Sequence, residues 1–271
     1  MKADPPVESG SDFELGLGTG SLRDELTCRR VVESALAIGY RHIDTARLYD
    51  NESAIGEALE QSSVPQNDVF VATKVHSKNL APDDLRESVQ ESRASLGLET
   101  IDLVYVHWPA HTYEPVETLS ALSDLRSEGA IRHVGLCNVT PELVTEAQTV
   151  SPAPIFAIQV EMHPFLQQQE LHELTRQHGI WLIAHTPLCQ GAVLQNETLS
   201  EIADKYTINE AQLSLAWLLH KERIAVVPGG SGTHLEDNRR ALSVNFNEGD
   251  IRKIDQVSEE RRCVDYEFSP W

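Results

Sequence analysis

Short, nearly continuous apolar runs that end in polar residues recur along the chain: FELGLGTG (13–20), RHIDTA (41–46), VFVATKV (69–75), IDLVYVHW (101–108), IRHVGLCN (131–138), APIFAIQVEM (153–162), GIWLIAHTPL (179–188) and RIAVVPG (223–229). Their β-branched character suits strands buried on both faces of a parallel sheet. Helical spacing fills the gaps. Val31, Val32, Ala35 and Ile38 share one stripe within residues 27–38, as do Leu85, Val89, Ser92 and Leu96, and residues 211–219 form a third case. Ala81-Pro82-Asp83-Asp84 and Thr140-Pro141 read as helix starts, with Thr140 at the cap and proline in the first turn.

Strands alternating with helices imply repeated βαβ units, and eight of them predict an α/β protein folded as one (β/α)₈ TIM barrel over residues 1–271. Residues 1–12 are expected to be a flexible N-terminus, and 260–271 a tail near the barrel mouth. An open doubly wound sheet is the competing arrangement. Against it, no G-x-G-x-x-G opens an early helix, and Gly16-Leu17-Gly18-Thr19-Gly20 has the wrong spacing for that loop.

At 271 residues with 41% hydrophobic content, the chain can bury a large core and is too apolar for a disordered one. Charge changes the picture more: 22 Lys and Arg against 42 Asp and Glu give −20, with lysine scarce. A surface this acidic repels phosphate backbones, so nucleic acid and anionic membranes are excluded as expected partners. Excess acid of this kind suits a salt-rich cytoplasm, where counter-ions screen self-repulsion, so a halophilic source is expected. No apolar run approaches the ~20 residues that span a bilayer, and MKADPPVESGSD carries no secretory pattern, which points to a cytoplasmic protein. Cys28, Cys137, Cys189 and Cys263 lie far apart with no CxxC pair and no zinc spacing, so they read as structural thiols in a reducing compartment.

In such a barrel, side chains at the C-terminal ends of the strands converge on one mouth. Asp44 ends the second strand and Tyr49 follows it; Lys74, His107, Asn138, Gln159 and His185 sit at or near later strand ends. Singly, each has a bland explanation: Asp44 caps a loop, Lys74 is solvated, His107 is a satisfied core histidine and Tyr49 is a packed aromatic. Strands this apolar should not bury ionisable groups without partners, and one Asp, one Lys, one Tyr and one His at adjacent strand ends can satisfy each other.

The segment GYRHIDTARLYDNE (39–52), followed by VATKV (71–75), VYVHWP (104–109), GLCN (135–138), IQVEMHPF (158–165) and AHTPL (184–188), resembles the aldo-keto reductase family, in order from about Phe13 to Asn238. The resemblance implies the (β/α)₈ barrel and reduction of a small carbonyl substrate with NADP(H) or NAD(H), without a metal. It makes Tyr49 the general acid, Lys74 the cation that favours its phenolate, Asp44 the partner that holds Lys74 charged, and His107 the donor that orients the carbonyl oxygen. Trp108 is expected to wall the substrate site with Tyr49 and His107.

To the cofactor the resemblance assigns Gly18, Thr19, Gly20, Asp44, Cys137, Asn138, Gln159, His185, Thr186, Leu188, Gly229, Gly230, Ser231, His234, Asp237 and Asn238. Several positions depart from the family pattern. Cys137 replaces a serine and softens one contact to the nicotinamide carboxamide, which Asn138 and Gln159 can still bond. His185 replaces a stacking tyrosine, offers less area and brings a group able to titrate near neutral pH. Gly229 stands where a lysine, and His234 where an arginine, grips the 2′-phosphate in members that prefer NADPH. Gly229, Gly230 and Gly232 leave backbone N–H groups for phosphate beside a helix start. A weak cofactor preference, tilted toward NADH, is therefore expected.

The loop Pro109–Pro115 and the tail Arg261–Trp271 are expected at the rim, with Trp271 either folded over the mouth or frayed. A short 189–198 loop implies an open pocket. Family and length together suggest small aldehydes, α-dicarbonyls or keto-sugar acids, handled by a monomer or weak homo-oligomer. Two other classes use the same residues: a dinucleotide-binding regulatory barrel with little turnover, and a metal-dependent hydrolase with Asp44, His107, His163 and His185 as ligands.

Overall fold

The computed structural model describes residues 11–271. Most of the expected flexible 1–12 terminus therefore lies outside the described residues. Eight parallel strands run in sequence order: β1 (Leu17–Gly18), β2 (His42–Asp44), β3 (Phe70–Val75), β4 (Ile101–Val106), β5 (Ile131–Cys137), β6 (Ile155–Glu161), β7 (Trp181–His185) and β8 (Ile224–Val226). The ring closes at its seam, where Leu15 bridges Val226 and the N–H groups of Gly16 and Gly18 donate to Val226 and Pro228 (both 2.9 Å). At Gly18 a Cβ would meet the Val227 carbonyl oxygen at 2.5 Å, so only glycine allows that approach.

The α-helices are α1 (Ser11–Glu14), α2 (Glu25–Ala37), α3 (Glu52–Gln61), α4 (Pro82–Leu96), α5 (Pro115–Ser127), α6 (Pro141–Val150), α7 (Gln169–His178), α8 (Glu197–Lys205), α9 (Glu210–Leu219), α10 (Thr233–Arg240) and α11 (Glu248–Asp255), and a 3-10 turn, Arg47–Tyr49, follows β2. The α4 stripe Leu85, Val89, Ser92 and Leu96 is buried, as the spacing predicts. Thr140 caps α6 by accepting the Leu143 N–H at 3.5 Å.

Two apolar layers result: one between strands and helices, and one inside the barrel. Side chains alternate in and out along each strand. Phe70 and Ala72, Leu103 and Tyr105, and Trp181 and Ile183 belong to the inner cluster, while Val71, Val104 and Leu182 belong to the outer one. Continuing that alternation carries Lys74, His107, Gln159, Glu161 and His185 inward at the C-terminal ends. Gly135 makes room for the Tyr105 ring, whose Cδ1 would lie 2.5 Å from an added Cβ.

One expectation is corrected. The first apolar run contributes a strand of only two residues, and Phe13 lies on α1 instead. Its fully buried ring stacks on His42 (centroids 5.0 Å) and meets Phe70 and Trp181 edge-on (both 4.9 Å). These rings stand at strand starts, so they close the N-terminal end of the barrel. Ring packing, which no strand repeat encodes, sets the local backbone here.

Candidate active site

The C-terminal ends of the strands surround a cavity of about 670 Å³, lined by Gly18, Gly20, Asp44, Tyr49, His107, Trp108, Asn138, Gln159, His185, Thr186, Leu188 and Gly229 among others. Asp44 is buried at its floor. One carboxylate oxygen takes the Lys74 ammonium at 2.5 Å and the other takes Gln159 Nε2 at 2.6 Å. Lys74, 1% exposed, also donates to the Thr45 carbonyl at 2.7 Å. An ammonium has three donors, and the third is within reach of the Tyr49 hydroxyl, with Nζ 5.2 Å from the ring centroid.

Burial works against the charge on Lys74, but the Asp44 carboxylate and the Tyr49 phenol outweigh it and raise its pKa above the usual lysine value. Burial likewise raises the Tyr49 phenol, with Lys74 pulling the other way. Lys74 thus acts in the expected direction, but desolvation exceeds the ammonium's effect, and Tyr49 holds its proton. His107 meets the Tyr49 ring edge-on, centroids 5.9 Å apart. Burial, reinforced by Lys74, drives its pKa well below the ordinary histidine value, so its ring is neutral. Its Nδ1 is buried and has no hydrogen-bond partner among the described residues.

Asn138 reaches the cavity by a backbone device. Strand alternation points Cys137 into the barrel, and Asn138 follows with a left-handed φ of 57°, a conformation asparagine tolerates. Its Nδ2 donates to the His107 carbonyl (2.9 Å), and its Oδ1 accepts from His185 Nε2 (3.0 Å). Cys137 itself is fully buried in the inner cluster and does not line the cavity. Thr19 is also buried, its hydroxyl and N–H both donating to the Asp44 carbonyl at 3.0 Å, so it ties the first loop to β2. Gly20 leaves the Tyr49 ring 3.4 Å from where a Cβ would stand.

His185 differs from expectation. Its Nδ1 pairs with Thr186 Oγ1 at 2.9 Å and Nε2 with Asn138. Burial lowers its pKa to about 4, so it is uncharged near neutral pH. With His107 also neutral, reduction rates are expected to stay level between about pH 6 and 8. A kcat/KM profile showing a step in that window would assign a titrating histidine to the site.

The cavity runs on past Val227 and Pro228 to Gly229. Among the described residues, no acceptor takes the N–H groups of Gly229, Gly230, Ser231 or Gly232, which lead into α10. Unused donors at a helix start fit a phosphate-bearing ligand. Asn138 and Gln159 each retain spare amide capacity, which fits a carboxamide. Ser231, His234 and Asp237 lie beyond the cavity lining; Asp237 pairs with Arg240 (3.1 Å), and Asn238 packs against Gly230 and reaches the Gly229 carbonyl at 3.5 Å.

Trp108 is 6% exposed and meets Tyr266 and Phe268 edge-on, both at 5.4 Å. Val264, Tyr266 and Phe268 from the C-terminal tail line the cavity. Trp271 lies 5.6 Å from Trp108 under the Arg262 guanidinium and is not part of the lining. The Pro109–Pro115 loop backs this tail, through His111 on Phe268 (4.9 Å), and does not line the cavity.

Sequence reading missed Arg23, whose guanidinium lies 5.4 Å from the Tyr49 ring centroid, although its place in the first βα loop was a usable signal. It also missed Glu161, which takes the N–H groups of Cys263 (2.7 Å) and Val264 (2.8 Å) and so seats the tail. Cys189 and Cys263, read as unrelated thiols, meet with sulfurs 2.7 Å apart. The hydrolase ligand set does not assemble: Asp44 is spent on Lys74 and Gln159, His185 on Asn138 and Thr186, and His163 Nε2 on Glu161 (2.8 Å).

A closed eight-stranded α/β barrel with a buried Asp–Lys pair against a tyrosine at its mouth defines a class of carbonyl-reducing oxidoreductase. Residues 14–259 match the Aldo/keto reductase family, and the chain belongs to that family. It is 34% identical to methylglyoxal reductase DkgB of Escherichia coli O157:H7, over 94% of this chain and 95% of that protein. It is 33% identical to a 9,11-endoperoxide prostaglandin H2 reductase of Trypanosoma cruzi, over 92% and 89%. The solved structure of MGS-M4, an aldo-keto reductase enzyme from a Medee basin deep-sea metagenome library, superposes with a TM-score of 0.90 at 30% identity, over 96% of this chain and 95% of that one.

Proposed function

We propose that the enzyme reduces small aldehydes and α-dicarbonyls, methylglyoxal and keto-sugar acids among them, with Tyr49 as the general acid. The carrying observation is the Asp44–Lys74 pair, sealed from water and set against the Tyr49 hydroxyl. A bound nicotinamide supplies the hydride. Tyr49 holds a proton tightly enough to remain protonated at neutral pH, yet far less tightly than a nascent alkoxide, so it gives the proton up as the carbonyl is reduced. Lys74 then stabilises the phenolate, and Asp44 keeps Lys74 charged and in place. A neutral His107 with its hydrogen on Nε2 leaves Nδ1 a bare acceptor and provides a donor for the carbonyl oxygen. Trp108 walls the substrate side.

Asn138, Gln159, His185, Thr186 and Leu188 form the nicotinamide end of the cofactor site in this reading, and Gly229 to Asn238 the phosphate end. Gly229 and His234 supply no fixed positive charge there, which supports dual cofactor use tilted toward NADH. Expected kcat/KM values for NADH and NADPH lie within ~30-fold of each other, about 2 kcal/mol. Gly229→Lys, whose Cβ has its nearest neighbour at 3.6 Å, is expected to shift the ratio toward NADPH by roughly tenfold through one added cation. Loss of reduced-nicotinamide absorbance with methylglyoxal, for each cofactor and variant, measures both. A preference for NADPH beyond ~30-fold in the native enzyme refutes the cofactor reading.

The charge of −20 supports a halophilic, cytoplasmic setting for a monomer or weak homo-oligomer. The same assay and a melting curve at about 0.1 and 2 M KCl test it, since screening should stabilise a chain of this charge. Unchanged or lower stability at high salt would refute it. Among the described residues, no helix is long and apolar enough to cross a membrane.

A further inference from the structure

Cys189 lies just beyond β7, buried under the mouth, and Cys263 lies in the C-terminal tail 74 residues later. Their sulfurs are 2.7 Å apart, inside van der Waals contact. The tail is fixed independently on both sides of Cys263. Arg261 N–H donates to the Phe165 carbonyl (3.1 Å), and Glu161 takes the N–H groups of Cys263 and Val264. Beyond them Tyr266 and Phe268 pack on Trp108. Bringing the thiols together therefore costs no further ordering of the chain.

Glu161, His163, Cys189 and Cys263 present their ligand atoms within 4.8 Å of one another, which raises a metal site as the rival reading. Geometry disfavours it. Two thiolates on a tetrahedral zinc stand roughly 3.8 Å apart, given Zn–S bonds of about 2.3 Å. The Glu161 oxygens are already engaged by two backbone N–H groups and by His163 Nε2 at 2.8 Å. Forming a disulfide instead asks the sulfurs to close by roughly 0.7 Å, to about 2.05 Å.

We propose that Cys189 and Cys263 are a covalent modification site: a small-molecule disulfide such as oxidised glutathione converts them to a disulfide that staples the tail to the barrel rim. Cys263 is the more exposed thiol, and burial pushes Cys189 up to about 12, so Cys263 reacts first. Its thiolate attacks the oxidant, breaks that S–S bond and releases one small thiol. Cys189 then displaces the second small thiol from the mixed disulfide. Two protein thiols are oxidised and one small-molecule disulfide is reduced to two thiols, with the protons passing to the leaving thiolates. Because Val264, Tyr266 and Phe268 wall the cavity, the staple fixes that wall. The kinetic consequence rests on the carbonyl-reductase reading; the covalent one does not.

Titration of the folded enzyme with oxidised glutathione, followed by denaturation and thiol counting, is expected to take free thiols from four to two. Non-reducing peptide mapping is expected to yield one cross-linked pair, 189 with 263, that dithiothreitol separates. Cys263→Ser and Cys263→Ala should keep three thiols and form no cross-link. In the native enzyme, oxidation should change KM for a bulky aldehyde by about threefold or more with a smaller change in kcat, and both variants should ignore the oxidant. Absence of the 189–263 cross-link overturns the proposal, as does stoichiometric zinc in the purified enzyme that both variants lose. A cross-link with KM unchanged overturns the role of the staple in the pocket.

Discussion

Tyr49→Phe is expected to lower kcat for aldehyde reduction by roughly 10²–10⁴-fold, the usual contribution of a positioned general acid, while leaving the fold intact. The substitution removes one hydroxyl and keeps the ring that packs beside His107 and Gly20. Lys74 keeps its bonds to Asp44 and Thr45, so the cation stays in place. KM for the cofactor should hardly change, because the lost hydrogen acts only as the alkoxide forms. In the direction of alcohol oxidation Tyr49 must first lose its proton. Its phenol is raised from about 10, so the native oxidation rate should climb with pH through the alkaline range, while reduction declines as the same proton is lost. Steady-state rates for wild type and variant, in both directions, measure this. Equal reduction rates for the two proteins would remove Tyr49 from the acid role.

Lys74→Met is expected to fail in two separable ways. Reduction should fall at least as far as in Tyr49→Phe, since the phenolate left after proton transfer loses its counter-charge. Stability should fall by about 3–5 kcal/mol, because Asp44 is left as a buried carboxylate with only Gln159 against it. The double variant Asp44→Asn with Lys74→Met removes both charges. It should recover most of the lost stability and none of the lost rate. Denaturant melts read the first quantity and turnover the second. If the double variant melts no later than Lys74→Met alone, the uncompensated carboxylate is not the source of the damage.

The barrel and three of the four central residues, Asp44, Lys74 and His107, were legible because strand parity and strand ends are written locally, while Tyr49, in the turn after β2, took its role from the family resemblance. Apolar runs buried on both faces mark the strands, and a polar residue closing such a run has to face the mouth. Features set by tertiary routes were not legible. Asn138 was named from its strand-end position and the family resemblance, but its left-handed turn was not written in the pattern, nor was the packing of Cys137 into the inner cluster, away from the cavity. Phe13 follows the rings around it into a helix. The neutrality of His185 follows first from its burial, which tertiary packing sets. The tail has no repeat at all. Its path is set by Glu161 and Trp108, and contact between Cys189 and Cys263 spans 74 positions that no local pattern connects.

The ring plug built from Phe13, His42, Phe70 and Trp181 turns the barrel into a cup rather than a tube. On the proposed reading, reactant, dinucleotide and alcohol product share one doorway, and Val264, Tyr266 and Phe268 stand as its jamb. Whatever tightens that jamb governs traffic in both directions, so admission and departure rise or fall together.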